Sequence, residues 1–185
     1  MRYKYLIGLL VVSASLVSCT LFRNSCSHHL ADNLADNDST SVIYSDSIDS
    51  IIINASKVRV YRMVDFSALR DSVGTRDSLF NYVIKRDAGL LGKDEKAVLS
   101  FIISDKKWYI KRYAPIRQPF HPNIALEFML GKCKAFMFIS FGTEEVAISD
   151  VEGNFKFYQM YDKRPMARWA YRKFPEEEYY QKLIK

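Results

Sequence analysis

NIALEFMLGKCKAFMFISFGTEEVAIS, residues 123 to 149, decides the fold class. Ile124, Leu126, Phe128 and Leu130 alternate with Ala125, Glu127 and Met129, which is the two-residue period of an extended strand. Gly131-Lys132 punctuates that run. Ala135 to Phe141 (AFMFISF) follows, almost wholly apolar, as a central strand covered on both faces would be. Val146 to Ser149 adds a short strand that ends before Gly153. Three short strands joined by short turns predict an antiparallel meander.

Working outward, Lys57 to Met63 (KVRVYRM) sets Val58, Val60 and Arg62 against Arg59, Tyr61 and Met63, a strand with one wetter face. Leu79 to Ile84 (LFNYVI), rich in aromatic and branched residues, reads as one further strand. Asp94 and Glu95 precede an apolar stripe of Val98, Leu99, Phe101 and Ile102, which predicts a helix from about Lys93 to Ser104. Near the C-terminus Met166, Trp169, Ala170 and Lys173 share one helical face, with Arg164, Arg168 and Arg172 on another. Pro175 followed by Glu176, Glu177 and Glu178, with Lys182 and Lys185 later, predicts a short second helix whose charges suit its dipole. The expectation is an α+β domain: an antiparallel sheet of about five strands with one central helix and C-terminal helices.

The other end of the chain reads as an address. Arg2 and Lys4 precede the uncharged run Leu6 to Val12 (LIGLLVV) and the small residues Ser13, Ala14 and Ser15, the charge order of a secretory signal. A membrane-spanning helix needs about 20 apolar residues, and this run breaks earlier. Leu16-Val17-Ser18-Cys19 resembles the lipobox of bacterial lipoproteins, which implies acylation of the Cys19 thiol and removal of residues 1–18. Two or three acyl chains hold a protein stably at a bilayer, because each buried methylene contributes about 0.8 kcal/mol. Residues 19–49, rich in Ser, Asn and Asp, bury too little apolar surface to offset chain entropy and read as a tether. Residues 50–185 are then a single domain. Thr20, Leu21, Phe22 and Arg23 bring no acid after the cysteine, which by analogy with lipoprotein sorting implies the outer membrane, facing the periplasm.

Composition narrows the partners. The 27 basic and 21 acidic residues give a net charge of +6, which becomes +4 once Arg2 and Lys4 leave with the signal. That balance permits anionic surfaces without requiring nucleic acid. No CxxC pair and no His/Cys cluster has metal-site spacing, so no metal or cofactor is implied. Whether Cys26 and Cys133 pair stays open from sequence alone.

Phe120-His121-Pro122-Asn123-Ile124-Ala125-Leu126-Glu127-Phe128 carries an F-x-P-x-x-A-L-x-F core, preceded by a leucine-bearing helix and Tyr109 and followed by Ser140-Phe141 and Phe174-Pro175. From Leu79 to Leu183 this pattern resembles a family of small bacterial domains of uncharacterised function with a C-x-F-x-P motif. Gln118 and Thr143 stand where that family has cysteines, so no cysteine-based role carries over.

Residues 106–126 contain no acid, and Lys106, Lys107, Lys111, Arg112 and Arg117 interleave with Trp108, Tyr109, Tyr113 and Phe120. Such a stretch fits an anion- or partner-binding surface at Lys111, Arg112 and Arg117, the plainer alternative being a solvated face whose aromatics enter the core. His121 with Glu127 or Cys133 would be the parts of an envelope hydrolase, although no nucleophile elbow accompanies them. The leading expectation is a lipid-anchored, non-enzymatic module that binds a protein or an anionic envelope component through its sheet face or basic loop. The alternatives are that hydrolase and an immunity-type inhibitor of a toxin.

Overall fold

The computed structural model describes residues 47–64, 77–105 and 119–185, and the backbone alone of 109–111. The chain clusters into two units, Met1–Ser50 and Ile51–Lys185. In the first, the described part is the opening of a helix, and the second holds every other described element.

In chain order these are α1 (Ser47–Asn54), β1 (Lys57–Met63), β2 (Ser78–Leu79), β3 (Tyr82–Leu90), α2 (Lys93–Ser104), β4 (Tyr109–Lys111), β5 (Ile124–Leu130), β6 (Cys133–Ser140), β7 (Glu145–Ser149), β8 (Phe155–Met160), α3 (Arg164–Lys173) and α4 (Glu178–Leu183). The α+β class is as expected. The sheet is larger: eight described strands in the order β2-β3-β1-β5-β6-β7-β8-β4, every pairing antiparallel. The meander β5-β6-β7 lies at its centre, and β8 extends it beyond Gly153, where the sequence reading ended. LFNYVI is not one strand. Leu79 pairs with Tyr82 across a two-residue turn, Phe80-Asn81, so the stretch closes the β2-β3 hairpin. Phe80 takes a φ of 55° there, a left-handed conformation in which a bulky side chain is strained.

One sheet face carries Val58, Val60, Leu126, Phe128, Ala135, Met137, Ile139 and Val146, all buried. Arg62 belongs to this face by register and is 0% exposed. Its guanidinium donates to the carbonyls of Met63 (2.6 Å) and Asn123 (3.0 Å) and to the Glu177 carboxylate (3.3 Å), and lies 5.2 Å from the centre of the Tyr180 ring. Those contacts place α4 against β1. Burial pushes the Glu177 carboxyl up, but Lys85 (2.6 Å) and Arg62 outweigh it and hold the group below the ordinary carboxylate range. Asn123 is a second node: its side-chain oxygen accepts from the Phe141 N–H (2.9 Å), and its carbonyl accepts from the Met63 N–H (3.0 Å). At the start of α2 the Glu95 carboxylate accepts from the Gly92 N–H (3.0 Å) and from Lys173 of α3 (3.1 Å), which closes a helix start and joins two helices.

Candidate functional site

The opposite sheet face has a different covering. By register it presents Tyr61 and Met63 of β1, Ala125 and Glu127 of β5, Phe136 and Phe138 of β6, Ala147 of β7, and Phe155 and Phe157 of β8. Met63, Ala125, Phe136, Phe138 and Ala147 form a dry floor. Over it pack half-buried side chains, among them Tyr61, Phe80, Tyr82, Phe120, Phe155 and Phe157. The rings meet mainly edge to face: Phe80 on Phe136 at 5.2 Å and 89°, Phe80 on Phe155 at 5.4 Å and 70°, and Phe120 on Phe157 at 5.4 Å and 81°.

These contacts fix the curvature. β3 and β8 stand five strand spacings apart in the sheet order, about 24 Å if the sheet were flat. Tyr82 of β3 and Phe155 of β8 nevertheless have ring centres 6.4 Å apart. The sheet therefore curls, and the β2-β3 hairpin folds across its aromatic face. Register shifts in the β1-β3 pairing, between Arg59 and Tyr61 and between Arg62 and Met63, supply bends of the kind that β-bulges produce.

One margin of this face is ionic. Glu127 is buried, accepting from the Tyr61 hydroxyl (2.8 Å) and from Lys134 (2.6 Å). Burial pushes the Glu127 carboxyl up, but Lys134, Tyr61 and Arg59 prevail and hold it below the carboxylate range. Tyr61 moves the other way: burial first, then the bond to Glu127 and its charge, push the phenol up to about 12, so it stays a donor. Arg59 closes the margin on Asp87 at 3.1 Å. Deeper in the sheet Glu145 is buried, and its charge, after burial itself, raises the Tyr82 phenol.

Of the sequence-derived candidates, Glu127 lies on this ionic margin. Cys19, Arg112 and Arg117 lie outside the described residues, and Lys111 is described only as the last backbone position of β4, beside Tyr158 of β8. His121, Glu127 and Cys133 are not brought together. Glu127 sits in the middle of β5, about 10 Å along the strand from its first residue Ile124, and His121 precedes that strand beyond a bend at Asn123. Cys133 opens β6 opposite Leu130, at the other end of β5 from Ile124, and is disulfide-bonded. Glu127 and Glu145 share a face but are separated by two strands and four positions, about 16 Å. Paired carboxylates for glycoside hydrolysis stand about 5–9.5 Å apart. Among the described residues no group of three or more His, Cys, Asp or Glu has the arrangement of a metal site.

Sequence reasoning missed the aromatic face. The signal was present in Phe155-Lys156-Phe157-Tyr158, which alternates like the strands before it. Comparison with family models, curated proteins and solved structures finds no match for this chain.

Proposed function

We propose that the protein is a lipid-anchored envelope module that binds a protein partner through the aromatic face of its curled sheet. The observation that supports this reading is the half-buried layer of Tyr61, Tyr82, Phe120, Phe155 and Phe157, bordered by Arg59 and the Tyr61–Glu127–Lys134 chain. Binding surfaces concentrate aromatic and Arg side chains at their centres and place charged groups at the rim. Rings already fixed by edge-to-face neighbours lose little conformational freedom when a partner covers them. The anchor rests on the lipobox ending at Cys19, and an outer-membrane position facing the periplasm rests on the residues that follow it.

The experiment separates this face from the basic stretch. Lipidated protein carrying a photoreactive crosslinker is recovered from envelope, comparing wild type, Tyr61→Ser/Tyr82→Ser, and Lys111→Glu/Arg112→Glu/Arg117→Glu. A crosslinked partner lost at least tenfold in the tyrosine variant and kept in the charge-reversed one is the expected result. Loss confined to the charge-reversed variant, together with recovery that falls steeply with salt, would transfer the site to the basic stretch and its anionic ligand. Equal recovery by all three would exclude both.

A further inference from the structure

A second surface lies where the chain enters the domain. The Ser56 N–H donates to the Met129 carbonyl at 2.9 Å, the Leu91 N–H donates to Val58 at 2.8 Å, and Lys96 Nζ donates to Ala55 at 2.8 Å. The end of α1, the start of β1, the end of β3 and the first turn of α2 therefore meet at one end of the sheet, beside the β5-β6 turn. Large apolar side chains are exposed here: Ile53 at 51% and Leu90 at 46%, with Val98 at 42% and Phe101 at 79% continuing along the outer side of α2. Leu99, Ile102 and Ile103 are buried on the other side of that helix. Exposed lysines lie at the same end of the sheet: Lys57 opposite Met129, Lys93 in the first turn of α2 and Lys132 in the β5-β6 turn, while Lys134, opposite Met129 on the other side, pairs with Glu127. Of the nearby acids, Glu127 is engaged by Lys134, Asp87 by Arg59 and Glu95 by Lys173, while Asp94 is exposed.

We infer that this end of the domain docks on the surface of an anionic phospholipid bilayer. Ile53, Leu90 and Val98 enter the headgroup boundary, and Lys57, Lys93 and Lys132 meet lipid phosphates. The occupant follows from chemistry and connectivity. Exposed apolar side chains with lysines at the same end of the domain match an interface that is apolar below and negatively charged above. Ile53 also lies four residues past Asp49, where the proposed tether ends, so the surface belongs to the part of the domain nearest the anchor along the chain. This inference rests on the lipid-anchor reading. Whatever its conformation, a tether of about 30 residues cannot reach beyond about 100 Å, so the domain stays close to the bilayer. Tethered sites see one another at about millimolar effective concentration, so a weak docking surface is enough.

The test uses the mature lipidated protein in vesicles of phosphatidylethanolamine and phosphatidylglycerol doped with a phospholipid carrying a diazirine near its headgroup. Crosslinked residues are mapped by mass spectrometry. Labelling is expected around Ile53, Leu90 and Val98 and not at Tyr161, which is 79% exposed after β8. Replacing phosphatidylglycerol by phosphatidylcholine should lower it at least threefold. Ile53→Asp/Leu90→Asp, checked for unchanged thermal unfolding, should lower it at least fivefold while the protein stays in the vesicle fraction. Label at Tyr161 equal to that at Leu90, or insensitivity to the double substitution in vesicle-bound protein, would overturn the docking and leave the anchor intact. Protein recovered outside the vesicles would overturn the anchor, and the docking with it.

Discussion

Asp49, in the first turn of α1, is buried, and burial pushes its carboxyl up to about 6. A carboxyl in the unfolded chain loses its proton near pH 3.9, so the folded state binds more protons between those values. Stability linked to Asp49 is thus complete below about pH 4 and is lost as the pH rises through about 6. Asp49→Asn should raise the urea midpoint at pH 7.5, with a gain that shrinks as the pH is lowered from 6 towards 4. A gain equal at pH 4 and pH 7.5 would show that ionisation is not the cause. Arg62 makes the contrast, a charge at 0% exposure held by carbonyls, a carboxylate and a ring. The sequence pattern did place Arg62 with Val58 and Val60 on the β1 face. What it could not supply was the partner Glu177, which is 115 positions away. Glu127 divides in the same way. Lys134 is its diagonal neighbour across the β5-β6 turn and follows from the meander register, whereas Tyr61 reaches it only because β1 pairs with β5 from 66 positions away.

At the scale of elements, agreement follows local signals. β5, β6 and α2 announce themselves by period and punctuation, and β1, Lys57–Met63, coincides with the alternation in KVRVYRM. The β2-β3 hairpin fails that test because its turn is Phe80-Asn81, with no glycine at the position that needs a positive φ. A glycine would relax the backbone, but it would remove the ring that meets Phe136, Phe138 and Phe155. The hairpin keeps the ring and bears the strain. Phe80→Ala and Phe80→Gly both lose the ring, and only glycine suits a φ of 55°. Phe80→Gly should therefore unfold at higher urea than Phe80→Ala, by about 1 kcal/mol, against the usual penalty for glycine in extended chain. The opposite order would mean that the turn is not left-handed at residue 80.

At the scale of the whole domain, curvature sets its second sheet face apart. A flat antiparallel sheet with helices on one side would leave its second face to water. Here the hairpin bends across that face, closes a dry floor, and presents a half-buried aromatic layer as the proposed partner surface. None of this was legible locally, because strand patterns state which residues share a face and not how far apart the edges stand. The most direct measurement is a double-mutant cycle on Phe80 of the β2-β3 turn and Phe155 of β8, whose rings lie 5.4 Å apart although at least five strand spacings separate their strands in the sheet order. Phe80→Ala, Phe155→Ala and the double variant are unfolded in urea alongside wild type. A curled sheet predicts a favourable coupling of about 0.5–1.5 kcal/mol, as edge-to-face pairs give. Additivity within about 0.3 kcal/mol, the behaviour of sites that do not touch, would contradict it.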